Sequence, residues 1–160
     1  MDGSSAPGTG EPEVSGLEAH LGYWLRFVSN HVSRAFQAKV EAAGVTVSEW
    51  VVLRQLHDVE GASPGELMEA LGMTQGAISK LVSRLEAKGL ARRGGAGKDR
   101  RRQSVALTGE GRALVPILAG LADENDREFF GVLPEAARER VMAAMKELVR
   151  THRLKEMPVD

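Results

Sequence analysis

The sequence predicts a mainly α-helical fold that carries one small β-hairpin, with long helices at both ends of the chain. Three observations predict it. Apolar residues recur at helical spacing in six segments between Leu17 and Val149. Capping residues (Thr46, Ser63, Thr74, Thr108) stand where four of those segments begin. One stretch, residues 90–107, replaces helical periodicity with two short runs around a Gly-rich turn.

Each element follows in order. Leu17, Leu21, Trp24, Val28, Val32, Ala35 and Phe36 predict a first helix from Leu17 to Ala43, ended by Gly44. Thr46-Val47-Ser48-Glu49 is a capping box, because Thr46 and Glu49 can each satisfy the other's backbone N–H. It opens a second helix, with Trp50, Leu53 and Leu56 inward, that runs to about Val59. Ser63-Pro64-Gly65-Glu66 is a second box with proline at the first helical position. The short third helix points Leu67, Met68 and Leu71 at the core and stops at Gly72. Thr74 caps a fourth helix, in which Ala77, Ile78, Leu81, Val82 and Leu85 share one stripe and Gly89 ends the run. Residues 90–93 and 103–107 read as strands around a tip at 94–99. Thr108 caps a fifth helix, Gly109 to Phe130, which Pro116 should kink or deprive of one hydrogen bond. Pro134 begins a sixth, with Ala137, Val141, Met145, Leu148 and Val149 in its stripe.

Composition narrows the chemistry. With 160 residues the chain can build one domain or two small ones. It has no cysteine, which excludes disulfides, thiolate nucleophiles, Cys-ligated zinc and thiol redox sensing. No apolar run approaches the ~18 residues that span a bilayer, so no membrane partner is expected. Residues 1–16 are rich in Gly, Pro, Ser and acid, without the basic start of a signal peptide, and read as a disordered tail; 154–160 read as a second tail. The expected location is the cytoplasm. His20, His31, His57 and His152 have no metal-ligand spacing, and no nucleophile–base pair is visible, so neither metal, cofactor nor enzymatic activity is expected. Gly97-Lys98 resembles the end of a phosphate loop, but Arg92 replaces the required Gly and Asp99 the required Ser or Thr.

Charge is concentrated in one place. From Thr74 to Arg102 there are nine Lys/Arg against two acids, a net of +7; the whole chain carries −1, leaving −8 for the rest. A basic segment in a near-neutral protein is the electrostatic footprint of a nucleic-acid binder. A short helix, a turn through Gly72 and a helix with small polar outward residues form a helix-turn-helix pattern. Gly76, Ser79 and Ser83 let the helix backbone sink into a major groove about 12 Å wide. Gln75 can read adenine edges, Thr74 and nearby N–H groups can hold a phosphate, and Lys80 and Arg84 suit phosphate or guanine. Lys98, Arg100, Arg101 and Arg102 on the hairpin can reach an adjacent minor groove.

LMEALGMTQGAISKLVSRLEAKGLARR followed by KDRRRQSVALTGEG resembles the winged helix-turn-helix of the MarR family of bacterial transcription regulators. The family's wing motif, Asp-x-Arg followed by a strand ending Leu-Thr, falls here on Asp99, Arg101, Leu107 and Thr108. The resemblance spans about residues 17–153. It implies an obligate homodimer with its DNA-binding lobes at mid-chain. It also implies that Asp99 and Arg101 pair to shape the wing, and that small aromatic or anionic ligands bind between lobe and dimerisation helices. Trp24, Phe27, His31 and Trp50 are the candidate lining.

The expected organisation is therefore a dimerisation helix at 17–44, a DNA-binding lobe at 45–108 and dimerisation helices at 109–153. A dimer is also expected from the apolar stripes at the two ends of the chain, which the middle lobe leaves uncovered. The expected function is a repressor that binds a palindromic double-stranded operator and is released by a small-molecule effector. The alternative is a helical ligand-binding or protein-interaction module without DNA binding.

Overall fold

The computed structural model describes residues 13–94 and 104–155 and divides into two compact units, with the boundary between His31 and Val32. The order of elements is a 3-10 turn (Leu17–Ala19), α1 (Leu21–Ala42), α2 (Val47–His57), α3 (Pro64–Leu71), α4 (Gln75–Ala87), β1 (Ala91–Arg93), β2 (Val105–Leu107), α5 (Gly109–Phe130) and α6 (Glu135–His152). The mainly helical class with one small antiparallel hairpin is as the sequence predicts.

The first unit departs from a single helix starting at Leu17. His20 adopts extended backbone (φ −101°, ψ 124°) and separates the 3-10 turn from α1. The Trp24 indole N–H donates to the Glu18 carbonyl at 2.9 Å and satisfies an acceptor that a continuous helix would have used internally. Periodicity alone misses this break, because Leu17 and Leu21 keep helical spacing on both sides of it.

In the second unit the core is built from α2, α3, α4, the hairpin and α5: Val52, Leu53, Leu56, Leu67, Leu71, Ile78, Val82, Leu85, Val105, Val115 and Leu118 are all buried. Both capping boxes form. The Glu49 carboxylate accepts the Thr46 N–H at 2.8 Å, and Glu66 accepts that of Ser63 at 2.7 Å. Hydrogen bonding by the Ser63 backbone N–H, then by its hydroxyl, holds the Glu66 carboxyl below the ordinary value of 4.5. The second helix ends at His57, two residues short of Val59, and Asp58 leaves helical geometry as its C-cap. Gly72 closes α3 in the left-handed region (φ 63°), where a side chain would be strained, and thereby sets the turn into α4.

The strands pair over three residues each, in the register Ala91↔Leu107, Arg92↔Ala106 and Arg93↔Val105; Leu90 and Ser104 stay outside them, and the expected strand residue Gln103 lies outside the described residues. Ala62 adds an isolated bridge on the other side of Val105. The Thr108 hydroxyl donates to the Gly89 carbonyl at 2.6 Å while its oxygen accepts the Gly111 N–H. Gly111 lies so close to β1 that a Cβ there would stand 2.0 Å from the Leu90 carbonyl oxygen. Thr108 and Gly111 thus fix the start of α5 onto the turn that follows α4. Pro116 lies inside α5 on its exposed side without ending the helix.

Candidate nucleic-acid interface

The fourth helix separates its two faces sharply. Ile78, Leu81, Val82 and Leu85 are buried, whereas Thr74, Gln75, Gly76, Ser79, Lys80, Ser83 and Arg84 are all exposed. Thr74 is the N-cap, and its hydroxyl accepts the Ala77 N–H at 3.3 Å. The free N–H groups of the first turn and the small residues behind them make this end accessible to an anion or a groove edge. Among the described residues, Lys80 and Arg84 have no ion-pair partner.

Two ties hold the helix in place, and sequence reading found neither. Lys88, the C-cap of α4, donates from Nζ to Glu49 Oε2 at 2.7 Å and to the Gly44 carbonyl at 2.9 Å. Glu49 is therefore both the capping-box residue of α2 and the buried counter-ion of the α4 terminus; its side chain is 1% exposed. Its second oxygen, Oε1, is buried without a partner among the described residues. The other tie is Arg93, the last residue of β1. Its guanidinium pairs with Glu86, and its Nη2 donates to the Ser79 carbonyl at 3.1 Å and to Ser83 Oγ at 3.2 Å. The Arg93 backbone N–H also donates to Glu86 Oε1 at 2.9 Å. The only sequence signal for either tie was the +7 count, which included Lys88 and Arg93 as undifferentiated charge.

The remaining site residues fall in different places. Lys98, Asp99, Arg100, Arg101 and Arg102 lie outside the described residues. In the first unit Tyr23, Trp24, Phe27 and His31 form a row of aromatic rings, with 4.8 Å between the centroids of Phe27 and His31. His31 Nδ1 lies 2.8 Å from the Phe27 carbonyl, so that nitrogen carries the proton. Trp50 belongs to the second unit, where it packs half-buried against the core. No helix among the described residues is long and apolar enough to cross a membrane.

Comparison with known proteins identifies the family and the fold. Residues 43–102 match the family model described as MarR family. The transcriptional regulator HosA of Escherichia coli is 30% identical over 111 residues, 69% of this chain and 82% of that protein. The HTH-type transcriptional repressor Mb2911 of Mycobacterium bovis is 30% identical over 124 residues, 70% of this chain and 89% of that protein. Among solved structures, Bordetella bronchiseptica BpsR superposes with a TM-score of 0.72 at 26% identity, covering 85% of this chain and 97% of that one. The BpsR structure concerns regulation of its DNA binding by 6-hydroxynicotinic acid.

Proposed function

The chain belongs to the MarR family of transcriptional regulators, and we propose that it is a dimeric repressor that binds a palindromic operator and is released by a small aromatic or anionic ligand. The observation that carries the DNA-binding part is the two-faced fourth helix, with a buried apolar stripe and seven exposed small, polar or basic residues from Thr74 to Arg84. In this reading residues 45–108 are the DNA-binding lobe. Gln75, Gly76, Ser79 and Ser83 meet base edges, and Thr74, Lys80 and Arg84 meet phosphates. The hairpin cations Lys98, Arg100, Arg101 and Arg102 enter the minor groove, with Asp99 and Arg101 shaping the wing. Residues 17–44 and 109–153 form the dimer, and the protein works in the cytoplasm.

The dimer rests on α6. It has no buried residue, and Val141, Met142, Met145, Leu148 and Val149 are each 39–56% exposed. An apolar face of that length on a single chain is covered most economically by a second copy across a two-fold axis. The ligand clause rests on the aromatic row of Trp24, Phe27 and His31 in the first unit, and on the 6-hydroxynicotinic acid that regulates the BpsR relative.

The test is to select duplexes from a random pool with the purified protein. Enrichment of a palindrome with half-site centres about 10 bp apart is expected. With roughly 6–10 phosphate contacts, affinity should fall by about 10³–10⁵ between 50 and 200 mM salt. A pool that shows no enrichment would favour the interaction module without DNA binding. Quenching of Trp24 and Trp50 by aromatic carboxylates that also release DNA supports the ligand clause; quenching without release refutes it.

A further inference from the structure

The two hydrogen-bonding ends of Arg93 join parts of the molecule that the family reading treats separately. One side chain, from the last residue of β1, spans the outer edge of α4 from Ser79 to Glu86. Both Glu86 carboxylate oxygens are taken by residue 93, one by its backbone N–H and one by its guanidinium. Arg93 and Glu86 are about one-third exposed, so the pair lies at the surface beside the residues proposed to meet DNA. A guanidinium can bridge a carboxylate, a carbonyl and a hydroxyl at once because its donors form a rigid fork, which an ammonium lacks.

We propose that Arg93 and Glu86 clamp the first wing strand to the recognition helix and thereby set DNA specificity. Arg93 is a positioning residue that turns the Ser83 hydroxyl outward as a hydrogen-bond donor, and Glu86 keeps the guanidinium off the phosphates. The chemistry follows from the donor inventory. Ser83 Oγ accepts from Arg93 on one lone pair, which fixes the hydroxyl and leaves its hydrogen and one further lone pair to meet DNA. A serine held in one orientation offers its hydrogen to acceptors such as guanine O6 and N7 or thymine O4 at a fixed position, whereas a freely turning one adapts to any base edge. An arginine free to reach phosphates would add affinity for every sequence alike. One held by Glu86 withholds that sequence-independent share, and the ratio between specific and non-specific binding rises.

The proposal rests on the reading of α4 as the DNA-facing helix, and the experiment separates the two. The full-length protein and the variants Arg93→Ala, Arg93→Lys, Glu86→Gln, Ser83→Ala and Ser83→Ala/Arg93→Ala are titrated by fluorescence anisotropy. Each meets the duplex the wild type selects and a scrambled duplex of equal length, across a salt series. Arg93→Ala and Arg93→Lys should both lose roughly five- to hundredfold in preference for the selected duplex, with the salt slope unchanged. Ser83→Ala should lose a similar factor, and the double variant no more than either single one. Glu86→Gln should bind the scrambled duplex more tightly, with a salt slope steeper by about 1.8, roughly 0.9 for each protomer of the proposed dimer, as the released arginine finds a phosphate. An Arg93→Ala that binds both duplexes more weakly by one factor, with a slope shallower by about 1.8 for the dimer, overturns the clamp and makes Arg93 an ordinary phosphate contact. So does an Arg93→Lys that keeps the full preference. If the alanine variant fails to unfold cooperatively, the lysine variant and Glu86→Gln decide the matter. A wild type that prefers no duplex overturns the DNA-facing reading, and the clamp falls with it.

Discussion

Replacing Lys88 by alanine should destabilise the protein far more than neutralising its partner Glu49. The Glu49 carboxylate is 1% exposed and has two donors, the Thr46 N–H at 2.8 Å and Lys88 Nζ at 2.7 Å, both on Oε2. Removing Lys88 leaves a buried charge with one neutral hydrogen bond. Breaking a fully buried pair from one side costs about 3–5 kcal/mol. The Lys88 side chain is 38% exposed, so water can follow it in and lower the figure to about 2–3 kcal/mol. For a chain of this size that corresponds to about 4–12 °C in Tm. Glu49→Gln removes the charge instead of stranding it, and its carbonyl still accepts the Thr46 N–H. Lys88 keeps the Gly44 carbonyl and solvent. Its cost should stay below about 1 kcal/mol, and Lys88→Ala added to Glu49→Gln should then cost little more. Urea titration of the four proteins at one fixed protomer concentration measures this cycle. A Lys88→Ala loss under about 0.5 kcal/mol, or one smaller than that of Glu49→Gln, refutes the assignment of Lys88 as the necessary counter-ion.

Three further outcomes are expected. Gly111→Ala should cost at least about 3 kcal/mol, because its Cβ meets backbone of Leu90 at 2.0 Å and no side chain can swing aside; calorimetry showing a Tm within a degree of wild type would contradict this. Glu66→Gln should flatten the acid limb of the stability curve. The lowered carboxyl contributes stability that is fully present above about 4.5 and is lost as pH falls through its folded value, so equal wild-type and variant slopes between pH 5 and 3 would refute it. Leu148→Glu, on the exposed apolar face of α6, should shift the proposed dimer to monomer in sedimentation velocity, and a dimer undiminished at micromolar concentration would remove α6 from the interface.

The features legible in the sequence are those encoded within one or two helical turns. Thr46 with Glu49, and Ser63 with Glu66, could be read as boxes because both partners sit three residues apart; Thr74 and Thr108 announced their helices as N-caps alone. Gly72 was legible because only a left-handed residue ends α3 there. The inward stripe of α4 followed from periodicity. What was not legible spans tertiary distance. Lys88 finds Glu49 across 39 residues and Arg93 finds Ser79 across 14, and no spacing rule connects either pair. The break at His20 was hidden for a related reason: its cause is an indole N–H on Trp24 reaching back six residues, which apolar periodicity does not register. Basic residues in the segment looked equivalent as charge, yet Lys88 and Arg93 are paired with carboxylates while, among the described residues, Lys80 and Arg84 are not.

That division of labour constrains how an effector could act. The fourth helix, α4, is held at its start by the Thr74 cap, along its outer edge by Arg93 and at its end by Lys88 on Glu49. Its inner face is buried among α2, α3 and the hairpin. Bending or rotating α4 alone would break an ion pair with a buried carboxylate and another with an arginine fork, each uncompensated. Moving the lobe as one body breaks neither. A ligand shifts an equilibrium only by its differential affinity for two states, and the state reached at least expense keeps these ties intact. Regulation is therefore expected to change the spacing of two unaltered lobes. A fluorophore pair on Glu69 of α3 and Ala87 of α4 in one protomer should then report the same distance with and without a releasing ligand, while a Glu69 label on each of two protomers reports a change. A change within the protomer would mean that the clamp opens.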